Sequence, residues 1–201
     1  MNINTIIRDV LFEGHLEGTA LFFGRMQPLT VAHYNIIDDA RKKYRDLFVI
    51  IVAGRSRKNN PLTFQQREKL IHKAFAGKIP KTHIIKAPTG FTPHIVQRLS
   101  RYISKQKTKA HFVLFAGEDR ADEYRKHIED YYEDGAKVEV QTISREDESV
   151  SATRVRKALL DSNEENFKRL MPTTLWNEYD NLKKLIAASS NQLSDDKIIK
   201  T

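Results

Sequence analysis

The 201-residue sequence contains no cysteine. Disulfides, thiolate zinc sites and cysteine nucleophiles are therefore excluded, and an intracellular, cytoplasmic setting is expected. No apolar run approaches the roughly 20 residues of a membrane span, so no membrane partner is expected. Residues 1–18 carry Arg8, Asp9, Glu13 and Glu17, which rules out the apolar core of a signal peptide. They show no clear period and read as an N-terminal extension. Internal repeats and low-complexity segments are missing. His15, His72, His83, His94, His111 and His127 show no metal-ligand spacing, and no metal-ligating residue is expected. No stretch interleaves basic with aromatic residues in the manner of a nucleic-acid recognition module.

What remains is an ordinary globular composition, 40% hydrophobic and 30% charged. The length suits one α/β domain with a sizeable core. A formal net charge of +8 and a pI near 9.6 attract phosphate-bearing partners. The basic clusters, Arg41–Lys43, Arg55–Lys58 and Lys105–Lys109, are short. Small phosphates are therefore expected as partners, and specific nucleic-acid binding is not. A homo-oligomer is compatible with the sequence.

The chain is organised around residues 19–37, TALFFGRMQPLTVAHYNII. The run Ala20–Phe23, closed by Gly24 and Pro28, reads as a buried strand. Ile36, Ile37, Ala40 and Tyr44 keep helical spacing from about Val31. A strand, a short loop and a helix N-terminus result. Such a terminus offers unpaired N–H groups and partial positive charge to a phosphate. Thr30 and His33, three residues apart, can face one bound group. Arg25 adds a forked cation suited to phosphate oxygens.

Further strands are predicted at Leu47–Ala53, residues 83–87, His111–Ala116 and Lys137–Ile143. Helices are predicted between them: one capped by Thr63 with Leu70, Ile71, Ala74 and Phe75 inward, one carrying Ile95, Val96, Leu99 and Ile103, and one over about 121–132. Further helices follow residue 150, the last carrying Trp176, Tyr179, Leu182, Leu185 and Ile186. The tail from 189 to 201 is expected to be flexible. The fold class is therefore α/β: a Rossmann-like, doubly wound parallel sheet of about five strands with a C-terminal helical segment. The domain spans 19–188, its C-terminal helices starting near 153. Ligands of such sheets bind beyond the strands' carboxyl ends, where strand order reverses. The loops at 24–33, 54–61, 87–92 and 117–120 lie at that edge. Asp119 is its one carboxylate of interest, as a ligand contact or a helix cap.

After the fifth strand comes Val150-Ser151-Ala152-Thr153-Arg154-Val155-Arg156. Ser151 and Thr153 are good capping residues for the helix that follows. Arg154 and Arg156 near its N-terminus conflict with the helix dipole unless an anion compensates.

Thr30-Val31-Ala32-His33 resembles the His/Thr-x-Gly-His signature of the nucleotidyltransferase superfamily, with Ala32 in place of glycine. Gly24-Arg25-Met26-Gln27-Pro28 resembles the nicotinamide mononucleotide (NMN) adenylyltransferases of archaeal type. So do Asn60-Pro61-Leu62-Thr63 with Arg67, and the later Met171-Pro172. Ser151, Thr153 and Arg156 match the superfamily's second signature, Ile-Ser-x-Thr-x-x-Arg. The resemblance implies transfer of an adenylyl group from ATP to NMN, with Mg²⁺ arriving on the ATP. It implies that His33, Thr30, Arg25 and Arg156 are catalytic. Gly24, Arg25, Thr30, His33, Gly117, Asp119, Ser151, Thr153 and Arg156 would bind the nucleotide. Arg57, Lys58 and Arg67 would bind the acceptor. The loop at 54–61 lacks the Ser-His pair of the archaeal-type enzymes and carries Arg55, Arg57 and Lys58 instead. The alternatives are a pantetheine-phosphate adenylyltransferase, a CTP-dependent cytidylyltransferase, or a binding protein on a degenerate transferase fold.

Overall fold

The computed structural model describes residues 16–54, 60–87, 93–104, 110–132, 136–143 and 150–198. At 93, 94, 104, 119 and 190–198 it describes the backbone alone. The apolar run at the start of the chain becomes β1 (Leu16–Gly24), followed by α1 (Val31–Lys43) and β2 (Tyr44–Val52). Then come α2 (Phe64–Ala74), β3 (Ile84–Ala87), α3 (Pro93–Ser104), β4 (His111–Gly117), α4 (Glu118–Tyr131) and β5 (Lys137–Ile143). The C-terminal segment comprises α5 (Ala152–Leu160), α6 (Glu164–Leu170), a 3₁₀ turn (Thr173–Glu178) and α7 (Tyr179–Ile198).

The five strands form one sheet in the order β3-β2-β1-β4-β5, with every neighbouring pair parallel. Ala20 pairs with Leu47 on one side and Val113 on the other, so β1 is central. Alternate residues serve opposite faces. Ala20, Phe22, Val49, Ile51, Val113 and Phe115 meet α1, α2 and the C-terminal helices. Leu21, Phe23, Phe48, Ile50, Phe112 and Leu114 meet α3 and α4. Burial on both faces is why these strands read as continuous apolar runs. The chain leaves β1 toward β2 and β3, then returns across β1 to β4 and β5. The reversal puts a crevice between the carboxyl ends of β1 and β4.

Several boundaries move. β1 starts at Leu16, before the apolar run, because Leu16 pairs with Tyr44. Gly18 lies between, at φ +110°, where the register shifts; a Cβ there would approach the His111 ring to 3.1 Å. Tyr44 belongs to β2, not to the helical stripe. Its extended backbone stops α1 while its N–H still caps Ala40, and its ring packs edge-on against Phe115. α4 starts at Glu118, earlier than predicted, with Gly117 as N-cap. Acidic residues in the first turn suit the helix dipole. Trp176 is not on the core stripe. It lies in the 3₁₀ turn, 40% exposed, with its indole N–H on the Lys168 and Met171 carbonyls near the end of α6. Leu182 and Ile186 carry the buried stripe of α7. That helix continues to Ile198, past the point where the polar sequence suggests a flexible tail; Ser189–Ile198 contains neither glycine nor proline to stop it.

Candidate phosphate site

Two capped helix starts flank the crevice. At α1, Thr30 is the N-cap and His33 the third helical residue. The His33 N–H donates to Thr30 Oγ1 at 3.4 Å, and the Thr30 N–H donates to His33 Nδ1 at 3.2 Å. This is a capping box with imidazole in the usual Glu/Gln position. Thr30 Oγ1 also lies 2.8 Å from Nδ1. An Nδ1 that accepts the Thr30 N–H carries no proton, so the ring proton is on Nε2. Burial pushes the imidazole pKa down from 6.5 to about 4. His33 is therefore a neutral ring with an Nε2–H donor, steadied edge-on by Phe22. Thr30 itself is fully buried. Its hydroxyl is engaged with the helix start and the imidazole. The spacing argument put both residues against one ligand; the fold instead stacks Thr30 behind His33.

At α5, Ser151 is the N-cap and its hydroxyl accepts the Arg154 N–H at 3.3 Å. Thr153 is exposed on the first turn, and its Oγ1 accepts Arg156 Nη2 at 3.1 Å. Arg156 Nη1 donates to the Gln27 carbonyl at 2.7 Å, which ties α5 to the loop after β1. Burial and the neighbouring Arg25 guanidinium both lower the Arg156 pKa. Two guanidiniums thus face one region. Among the described residues neither is paired with a carboxylate. An anion between them would relieve that repulsion. Arg25 is exposed at this edge, next to Gly24. A Cβ at Gly24 would meet the Phe22 ring at 2.9 Å, so β1 ends there with no room for a side chain.

Arg67 is held by main-chain carbonyls. It is 6% exposed. Nη1 donates to the carbonyls of Arg25 at 2.7 Å and Val52 at 3.0 Å, and Nε to that of Thr63 at 3.3 Å. Burial lowers its pKa to about 10, leaving it charged at neutral pH. It joins the ends of β1 and β2 to the start of α2. Gln27 forms a second tie: its amide exchanges two 2.9 Å bonds with the Leu62 N–H and carbonyl. Apart from the Thr63 bond, these ties join residues 15 to 42 apart in sequence, so no local signal marks them.

Gly117 is at the β4 end of the crevice, as N-cap of α4. Asp119 lies in the first turn of α4, not at its cap, and its side chain is outside the described residues. Arg57 and Lys58 are also outside them. Gly54, just before that loop, has no space for a Cβ: one would fall 1.9–2.0 Å from the Asn60 amide. Gly54→Ala must displace Asn60, and an overpacked contact costs about 1–3 kcal/mol. A lower urea midpoint with unchanged m-value is expected.

Among the described residues no group of three His, Asp or Glu could hold a metal ion. The side chains described at the crevice are guanidinium, hydroxyl and neutral imidazole, which do not fit a resident Mg²⁺. No described helix is long and apolar enough to cross a membrane.

A family model described as Cytidylyltransferase-like matches residues 21–158. Two solved structures of a bifunctional NMN adenylyltransferase/ADP ribose pyrophosphatase from Francisella tularensis have similar folds. The one complexed with AMP and a manganese ion has TM-score 0.56 at 15% identity, over 92% of this chain and 56% of that one. The other has TM-score 0.57 at 16% identity, over 92% and 57%. A NadR protein in complex with NAD and AMP-PNP has TM-score 0.53 at 18% identity, over 80% and 46%. The chain thus spans about half the length of these structures. No curated protein matches the sequence.

Proposed function

The chain belongs to the cytidylyltransferase-like family, and on that premise we propose that it transfers an adenylyl group from ATP to the phosphate of NMN. An acceptor phosphate oxygen attacks the α-phosphorus. The bond from that phosphorus to the bridging oxygen of the β-phosphate breaks, and pyrophosphate leaves with the electron pair. The product is NAD. The observation that supports this reading is the bond from Arg156, on the Ser151-capped start of α5, to the Gln27 carbonyl in the loop that leads from β1 to the Thr30-capped start of α1, with Arg25 close enough to repel it. Among the described side chains the hydroxyl that does lie beside a base there, Thr30 against His33 Nδ1, is fully buried in the helix cap and is not placed to act as a nucleophile. Transfer at phosphorus needs none, because positioning and charge stabilisation supply most of the catalysis.

Each residue then has a task. His33 donates to phosphate oxygens as charge develops, with Thr30 fixing its tautomer. Arg156, with the α5 start at Ser151 and Thr153, holds the β- and γ-phosphates. Arg25 bridges nucleotide and acceptor. Gly24 and Gly117 let the backbone approach the nucleotide, and Asp119 stands at the same edge. Arg57 and Lys58 are assigned to the acceptor phosphate. Mg²⁺ enters as part of the MgATP substrate. The protein would act on dissolved nucleotides in the cytoplasm.

NMN is favoured as acceptor by the Gly24–Pro28 resemblance and by the two proteins of similar fold that are described with NMN or NAD. The family's own description favours CTP as the rival donor. A pyrophosphate-release assay decides. ATP and CTP are each paired with NMN, nicotinate mononucleotide, phosphopantetheine and glycerol phosphate. The highest kcat/KM is expected for ATP with NMN. Turnover of CTP with glycerol phosphate, and none of ATP with NMN, would reject the proposal. Submicromolar, sequence-selective nucleic-acid binding at physiological salt, without turnover, would favour a binding protein.

A further inference from the structure

Gln27 is 3% exposed, and three separated segments meet on it. Its amide pairs with both polar groups of the Leu62 peptide, fixing the loop after β1 to the segment entering α2. Its own carbonyl accepts Arg156 Nη1 at 2.7 Å, across 129 positions of sequence. The preceding residue, Met26, is held at φ +46° although it is not glycine. A left-handed backbone at a buried, non-glycine residue persists only when its surroundings enforce it. The Leu62 pair on one side and the Arg67 bond to the Arg25 carbonyl on the other do so. The side chain and the carbonyl of Gln27 thus anchor one loop at two points, the first on Leu62 and the second on Arg156. Among the described residues Arg156 has one other anchor, the exposed Thr153 hydroxyl.

We propose that Gln27 is a positioning residue for the triphosphate: it touches no nucleotide, and it fixes where the Arg156 guanidinium stands. This rests on the reading that Arg156 holds the β- and γ-phosphates. A forked contact to phosphate depends on placement, and a misplacement of about 1 Å can cost on the order of 10²-fold. Buried Gln27 could instead be wholly structural. The two roles differ in which ligands feel its loss. A positioning role weakens ligands with β- and γ-phosphates and spares AMP. A structural role weakens both alike.

The test uses calorimetric titration of the full chain with a non-hydrolysable ATP analogue and with AMP. The proteins are wild type, Gln27→Met, Arg156→Ala and the double variant. Gln27→Met keeps the volume of the side chain and removes its two bonds. About tenfold weaker binding of the ATP analogue is expected, with AMP within about twofold. The double variant should bind no more weakly than Arg156→Ala, because contacting residues couple non-additively. Where Gln27→Met does not fold, Gln27→Glu gives the same comparison; it keeps the acceptor for the Leu62 N–H and turns the donor half of the pair repulsive. Equal losses for both ligands, or additive losses in the double variant, overturn the inference. So does a normal ATP-analogue affinity in a folded Gln27 variant while Arg156→Ala binds weakly. A wild type that binds neither ligand overturns the functional reading and this inference with it.

Discussion

Replacing His33 by Ala is expected to lower kcat by about 10²–10³, the usual loss when one preorganised donor to a developing charge is removed. This corresponds to roughly 2.7–4 kcal/mol of transition-state stabilisation. Affinity for ATP should change much less, because the contact strengthens only as charge develops. The capping box adds a second, smaller loss. Without Nδ1 the Thr30 N–H loses its acceptor, at about 0.5–2 kcal/mol of stability. His33→Asn separates the two. Its side-chain oxygen can stand near the place of Nδ1 and keep the cap, but nothing replaces the Nε2–H. Near-normal melting with low turnover is the expected result for His33→Asn. Low melting with near-normal turnover in both variants would assign His33 to structure. Acidification adds a check. The folded pKa of about 4 lies below the ordinary 6.5, so the unfolded chain takes up the proton first. This group leaves stability untouched above about pH 6.5 and lowers it progressively from there toward pH 4. The urea midpoint of wild type should therefore fall below that of His33→Asn between pH 7 and pH 5.

Arg67→Ala is expected to cost about 3–5 kcal/mol, the scale for breaking a buried charged network. That is a large share of the stability of a typical domain, roughly 5–15 kcal/mol. The carbonyls of Arg25, Val52 and Thr63 each lose a charged donor. Arg67→Lys should recover little, because an ammonium cannot reproduce the guanidinium's planar fork. Since Arg67 stays charged to about pH 10, the cost should be constant through neutral pH. Urea titration checks this, paired with the KM for the acceptor. A stable Arg67→Ala protein whose acceptor KM rises tenfold would return Arg67 to substrate binding.

Arg67 also shows where sequence reasoning stops. Its motif neighbours point to a phosphate contact, and the fold gives it a tie between main-chain carbonyls that the motif does not announce. Such a role depends on which loops the fold brings together, and spacing within a motif does not encode that. Gln27 fails to announce itself for the same reason. The sheet was legible because strands buried on both faces are long apolar runs, and the alternation of strand and helix leaves little choice of topology. Thr63 and Ser151 were legible as caps because capping is local. Thr30 was half legible: its place at the helix start follows from the sequence, but its burial beneath His33 does not. Tyr44 reads as helical because three apolar neighbours at helical spacing outweigh the strand preference of an aromatic residue, yet it lies in β2.

The bond from Arg156 to the Gln27 carbonyl has a consequence for how the protein comes together. During synthesis β1, α1 and β2 emerge early, with His33 and Arg25 already in local structure. The second cation arrives only when α5 docks, after all five strands have been made. Closing so long a loop is slow compared with forming a helix start. On the proposed reading of Arg156, competence for the triphosphate is therefore a late event in folding.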